Sequence, residues 1–290
     1  RERRRTHHAP VPPPAATTGE KTDHAHHRHG ARRIIHRDAP VTGVLSPQPP
    51  GGTRVLVTGG ARGIGRAIAD AFAGQDARIC ILDRDPVPDA PAGWLCITGN
   101  VAEEAEVEAA FAAMDNAWGG VDVALANAGF AMNTPTIDLP VADWRIVDVN
   151  LTGAFLTAQA AGRRMLRDGA GLILLTSSLY GTVGGADRAG YCATKAAVAN
   201  LARALACEWG PGGVRVNALA PGYTETSMVT DLIAQGRLDR GRLTARAPLR
   251  RLVRPEEVAA LACFLASPAA SAITGAVLAV DAGWNANGGP

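Results

Sequence analysis

The sequence RVLVT (54–58), GGARGIG (59–65), RAIADAFA (66–73) joins a short β-branched run to a helix-favouring one through a cluster of glycines. A strand that enters a helix in this way presents backbone N–H groups at the positive end of the helix, where they can approach a pyrophosphate. Gly59, Gly63 and Gly65, with Arg62 and Ile64 between them, form a candidate phosphate turn. The spacing is G-x-x-x-G-x-G, which taken alone also suits a plain tight turn.

The chain around this unit alternates between two patterns. Apolar runs at ARICILD (77–83), WLCIT (94–98), VDVALAN (121–127), GLILLTSS (171–178), GVRVNALAPG (213–222) and GAVLAVDAG (275–283) read as strands. Helical segments are expected at 103–118, at 141–167 with Asn150 inside it, from Tyr191 to about Glu208, and at 255–267, which opens with Pro255 and acidic residues. Residues 223–246 are polar and irregular with one helical piece, the kind of segment that closes over a substrate. Strands alternating with helices imply an α/β fold with a parallel, doubly wound sheet in one domain, residues 53–290.

Residues 1–52 have a different composition. The first fifty hold all seven histidines, a Pro-Pro-Pro run at 12–14 and a net charge of +5, which leaves −3 for the other 240 residues. Such a segment buries too little apolar surface to offset its ordering entropy, so a disordered tail is expected. HAHHRHG (24–30) is read as solvated tail in preference to a loose metal site, and no apolar stretch marks a secretory signal. The rest carries no broad basic footprint for nucleic acid and no run of about 18 apolar residues for a membrane helix. Five scattered cysteines, without C-x-x-C spacing, fit reduced thiols and a cytoplasmic location. No histidine follows residue 36, which excludes a Ser-His-Asp or Cys-His engine and a His-ligated metal from the predicted domain.

The general base must then be another group. Tyr191 and Lys195 lie four apart on a predicted helix and so share one face. An adjacent ammonium favours the phenolate and draws the tyrosine pKa down from its ordinary value of about 10. The chain has 29 basic residues but only two lysines, and Lys195 is the one in the predicted domain, the other being Lys21 in the tail. Asp83 ends the second strand eighteen residues past Gly65, where a carboxylate can hold a ribose 2′-hydroxyl and repel a 2′-phosphate. That favours NAD over NADP, although Arg62 and Arg84 lie close enough in sequence to reach a phosphate. Asn100-Val101 exits the third strand, and Asn127-Ala128-Gly129 forms a small-residue turn at the end of the fourth.

Thr58-Gly59-x-x-x-Gly63-Ile64-Gly65, Asn127-Ala128-Gly129, Asn150, Ser178, Tyr191-x-x-x-Lys195 and Pro221-Gly222 occur in that order, with 13 residues from Ser178 to Tyr191. This ordered set resembles the short-chain dehydrogenase/reductase family over about residues 53–284. The resemblance implies a Rossmann-type domain with a seven-stranded parallel sheet, a nicotinamide cofactor, an alcohol or carbonyl substrate and assembly as a homotetramer or homodimer. It implies Tyr191 as acid/base and Lys195 as the group that lowers its pKa and holds the nicotinamide ribose. Ser178 is implied to hydrogen-bond the substrate oxygen, and Asn150 to hold a water of a proton relay. Gly59, Gly63 and Gly65 match the pyrophosphate turn, Asn127 lies in a segment that steadies the adenosine side, and Thr226 follows Pro221-Gly222 as a carboxamide contact. Departures are Asn100-Val101 for Asp-Val, Ala126 for the first Asn of Asn-Asn-Ala-Gly, and Asp281-Ala282-Gly283 for Asp-Gly-Gly.

The expected activity is hydride transfer between NAD(P) and a secondary alcohol, polyol or sugar. A 3-oxoacyl-thioester (acyl carrier protein) reductase and a non-catalytic cofactor-binding sensor are the alternatives. Substrate contacts are expected within 130–140, 179–190 and 223–246, where Tyr180, Asp187, Arg188 and Tyr223 are candidates.

Overall fold

Seven short strands pair in parallel in the order β3-β2-β1-β4-β5-β6-β7 in the computed structural model, which describes residues 45–287. They are β1 (Arg54–Thr58), β2 (Arg78–Asp83), β3 (Leu95–Thr98), β4 (Val123–Ala126), β5 (Gly171–Thr176), β6 (Val214–Pro221) and β7 (Val277–Val280). Side chains alternate between the two faces of the sheet. Val55, Val57, Ile79 and Ile81 bury into one core, and Leu56, Cys80 and Leu82 into the other. Burial on both faces is why these strands read as continuous apolar runs. The first core is covered by α1 (Gly63–Ala73) and α7 (Pro255–Leu265), and the second by α2 (Glu104–Trp118), α3 (Gly153–Asp168) and α4 (Ala189–Trp209).

The chain reverses its direction across the sheet between β1 and β4. In open α/β sheets that reversal opens a crevice at the carboxyl ends of the strands. Asp122 fixes the opposite end of this junction, its carboxylate accepting from the Arg54 guanidinium at 2.6 Å and from the Arg54 backbone N–H at 2.8 Å.

Three expectations need revision. The helix expected at 141–167 is broken. A 3-10 turn spans Val141–Arg145 and a π-turn Asp148–Thr152, and the α-helix begins only at Gly153. The Asn150 side chain there bonds a distant backbone segment, an option that competes with regular helix. Residues 223–246 hold two helices instead of one, α5 (Ser227–Ala234) and α6 (Arg240–Arg246). Each is capped by the side chain before it, Thr226 accepting from Val229 N–H and Asp239 from Arg242 N–H. The strand expected at 275–283 closes at Val280, and Ala282 adopts φ +55°, a conformation that favours glycine.

Of the expected tail, residues 1–44 lie outside the described residues. Residues 45–52 are docked, with Pro49 buried and the Ser46 carbonyl accepting from Ala269 N–H at 3.1 Å. Among the described residues no helix is long and apolar enough to cross a membrane.

Candidate active site

A cleft of about 1000 Å³ runs along the carboxyl ends of the strands. The glycine turn after β1 and the end of β2 form one part of its lining. Ser178, Tyr191 and Lys195 form another, and Tyr223 and Thr226, in the chain beyond β6, line it as well.

The glycine turn is shaped by contacts no side chain could share. Gly59 has φ +66°, and a Cβ there would fall 2.8 Å from Ala128 Cα. At Gly65 a Cβ would fall 2.1 Å from the Gly59 carbonyl oxygen and 2.6 Å from Asn127 Nδ2. Asn127 donates from Nδ2 to the carbonyls of Thr58 and Gly59, at 3.1 Å each, and so ties the end of β4 to the turn. Thr58 completes the tie, its hydroxyl accepting from Asn127 N–H at 3.0 Å and Ala128 N–H at 3.1 Å. No side chain caps α1 at Arg62, so its first N–H groups are left for an anionic ligand. Volume, turn and uncapped helix together fit a dinucleotide phosphate.

Gly59, Arg62, Gly63, Ile64, Asp83, Asn100, Val101, Asn127, Ala128 and Gly129 all line the cleft. Pro221, Gly222 and Thr226 line it as well, whereas Gly65 and Asn150 stand behind its wall. Asp83 accepts from Ala61 N–H at 2.9 Å and from Asp85 N–H at 3.0 Å. Arg62 reaches Asp85 at 3.0 Å and Arg84 reaches it at 3.7 Å, so both guanidiniums at the β2 end share one carboxylate. The Asn100 side-chain oxygen accepts from Ala102 N–H at 3.1 Å, a local turn that spends part of its capacity.

Ser178 ends the loop after β5, and Tyr191 and Lys195 stand one turn apart on α4. The Lys195 ammonium lies 5.7 Å from the centroid of the Tyr191 ring and donates to the Thr176 carbonyl at 2.7 Å. Ser177 holds the same turn, donating to the Lys195 carbonyl at 2.7 Å. Behind them, Asn150 Oδ1 accepts from Phe130 N–H at 3.0 Å and its Nδ2 donates to the Phe130 carbonyl at 2.9 Å. The amide of Asn150 is thus committed to the backbone beyond β4. A Cβ at Gly129 would meet it at 2.9 Å and the Lys195 nitrogen at 3.4 Å.

Burial modifies the titration of the pair. Burial holds the Tyr191 phenol above its ordinary value. A hydrogen bond with Ser178 and the charge of Arg188 pull the other way. Lys195 is itself only 4% exposed and directs its ammonium at Thr176; burial lowers its pKa to about 8. The unfolded chain keeps this proton up to the ordinary value of 10.5, so the burial cost is full below about pH 8 and fades as pH rises from there to 10.5. The unfolding free energy of cofactor-free wild type minus that of Lys195→Met should therefore climb by about 3 kcal/mol across that window. Denaturant titrations at a series of pH values check this, and a flat difference would contradict it.

Tyr180, Arg188 and Tyr223 line the cleft, whereas Asp187, with φ +60°, is exposed and stands outside the lining. Thr58, Phe130, Thr176 and Ser177 support the site, but only Thr58 carries a sequence signal, as the residue before the glycines. The contacts of the others pair segments far apart in the chain.

Comparison with known proteins adds four findings. A family model described as enoyl-(acyl carrier protein) reductase matches residues 59–285. The cis-4-hydroxycyclohexanecarboxylate dehydrogenase of Sinomonas cyclohexanicum is 42% identical over 241 residues, 80% of this chain and 96% of that protein. The galactitol 2-dehydrogenase (L-tagatose-forming) of Cereibacter sphaeroides is 40% identical over 80% of this chain and 95% of its own length. Among solved structures, a gluconate 5-dehydrogenase from Burkholderia cenocepacia J2315, in complex with NADP and tartrate, superposes with a TM-score of 0.77. It is 32% identical and covers 82% of this chain and 97% of its own.

Proposed function

The chain belongs to the short-chain dehydrogenase/reductase family and is an NAD(P)-dependent oxidoreductase of CH–OH groups, and within that class we propose a secondary alcohol, polyol, sugar or cyclic alcohol as its substrate, with Tyr191 as general acid/base. The observation that carries this reading is the convergence of Ser178, Tyr191 and Lys195 on one wall of a cleft that also contains the glycine turn. When bound, the nicotinamide supplies the hydride acceptor or donor, chemistry no side chain here can perform. Gly59, Gly63 and the uncapped start of α1 would hold the pyrophosphate, Asn127 keeps that turn in shape, and Thr226 stands beside it, 3.3 Å from where a Cβ at Gly63 would fall.

In the oxidising direction the Tyr191 phenolate takes the hydroxyl proton and Ser178 holds the reacting oxygen where charge develops. Lys195 provides the fixed positive charge, and Asn150 braces the backbone beside it. The polyol and cyclic-alcohol reading is preferred to thioester reduction because the two relatives named above, at 42% and 40% identity, carry the names of such alcohols. An initial-rate screen of alcohols and of a 3-oxoacyl thioester with each cofactor tests the choice. Turnover confined to the thioester would overturn it.

NAD is proposed as the preferred cofactor because the Asp83 carboxylate stands in the cleft lining at the end of β2. Asp83→Asn retains an acceptor for Ala61 N–H and removes the charge. It should raise the kcat/KM ratio of NADP to NAD at least about tenfold, since loss of a like-charge repulsion of 1.4 kcal/mol has that effect. An unchanged ratio would mean that Asp83 does not read the ribose.

A homodimer or homotetramer is proposed on the exposed apolar Phe155 and Leu166, three turns apart on α3. A cytoplasmic location is proposed on five cysteines that are all free thiols.

A further inference from the structure

Four arginines line the cleft, Arg62, Arg84, Arg188 and Arg237. Arg62 and Arg84 share Asp85 at the β2 end, and Arg237 is exposed. Arg188 differs from them. It is half-buried beside the catalytic wall and forms no ion pair among the described residues.

Its position is fixed by packing. The guanidinium carbon lies 4.9 Å from the centroid of the Tyr180 ring, so one face is spent on a cation–π contact, while its N–H edge donates to no partner among the described residues. Tyr180 is itself held. Its hydroxyl lies 2.9 Å from that of Tyr223, and its ring meets Tyr191 edge-on at 6.3 Å. A Cβ at Gly185 would fall 2.5 Å from the Tyr180 ring and 3.0 Å from Arg188 Cδ, so the arginine stem is clasped between them. The Asp187 carbonyl accepts from Thr134 N–H at 2.8 Å and anchors the residue just before it. The charge of Arg188 acts on both Tyr191 and Tyr223, which places it within electrostatic reach of the reacting phenol.

Resting on the dehydrogenase reading above, we propose that Arg188 is a specificity residue that binds the carboxylate of a hydroxy-acid substrate, one aromatic ring away from the carbinol held by Ser178 and Tyr191. A planar fork with an open N–H edge matches a carboxylate bidentately, and a polyol hydroxyl would use only half of it. Tyr180 is the platform that keeps the fork oriented. The acids lining the cleft are Asp83 and Asp85, engaged at the β2 end, and Asp231, exposed on α5.

The test pairs 4-hydroxycyclohexanecarboxylate and 3-hydroxybutyrate with their methyl esters, alongside a neutral polyol. At least one acid should exceed its ester about tenfold or more in kcat/KM with wild type. Arg188→Gln should lower the acid-to-ester ratio of kcat/KM by about 30-fold or more, mainly through the KM of the acid, with any effect of the lost charge on Tyr191 common to acid, ester and polyol; Arg188→Lys should recover part of that ratio. Equal loss on acid and ester, or no acid preference in wild type, would overturn the proposal. Calorimetry of wild type loaded with NADH needs no turnover. Cyclohexanecarboxylate should bind at least about tenfold more tightly than cyclohexanecarboxamide, and equal or absent binding of both would also overturn it. If the polyol is oxidised without acid preference, this inference falls and the dehydrogenase reading stands. If nothing is oxidised, the reading itself falls.

Discussion

Tyr191→Phe should lower kcat by about 1000-fold while NADH binds within roughly threefold of wild type, since general acid/base catalysis contributes about 100- to 10,000-fold. The substitution removes one oxygen and leaves the ring, so its edge contact with Tyr180 at 6.3 Å and the α4 backbone are retained. What is lost is the phenol hydroxyl that hydrogen-bonds Ser178 in the cleft, on a ring 5.7 Å from a buried ammonium. Stopped-flow turnover with fluorescence titration of NADH separates chemistry from binding. Turnover within tenfold of wild type would remove Tyr191 from the reaction.

Gly65→Ala should weaken cofactor binding by about 10- to 100-fold, an effect set by sterics at the other end of the cleft. The added methyl would stand 2.1 Å from the Gly59 oxygen and 2.9 Å from its carbonyl carbon, backbone atoms that cannot swing aside. Relief requires the turn to open, which breaks the 3.1 Å bonds from Asn127 to Thr58 and Gly59. Overpacking of this kind costs about 1–3 kcal/mol, enough to reshape the phosphate turn without unfolding the sheet. Gly184→Ala is the matched control, because a Cβ there meets nothing within 4 Å. Calorimetric titration with NAD and NADH measures both variants, and equal affinities would refute the cradle.

Much of the fold was legible because burial on both faces writes each strand as an apolar run; GLILLT of β5 is buried at all six positions. Tyr191 and Lys195 were legible because four residues span about one helical turn, and the glycines because their spacing reports close approach of backbone. The break at 148–152 was not, since DVNLT is not a strong helix breaker, and the cause is a tertiary bond from Asn150 to Phe130, twenty residues away. The second helix of 223–246 could have been found from Asp239, a capping residue ahead of Arg240–Arg246. The neighbours Asp187 and Arg188 are equally polar in sequence. Only the structure shows that the left-handed turn at Asp187 leaves that residue exposed while Arg188 lines the cleft. Sequence proximity of Tyr191 to Lys195 also does not reveal the burial of both groups, which holds the phenol above its ordinary value and lowers the pKa of the lysine.

The account depends on that phenol becoming acidic in the working complex, where the cleft holds two cations, Lys195 and the oxidised nicotinamide. Tyrosinate ultraviolet absorption, followed against pH in the NAD-bound protein, reads this directly. A titration step below the ordinary tyrosine value of about 10 is expected in wild type, displaced upward in Lys195→Met and missing in Tyr191→Phe. No step below that value in wild type, or one that persists in Tyr191→Phe, would contradict the assignment.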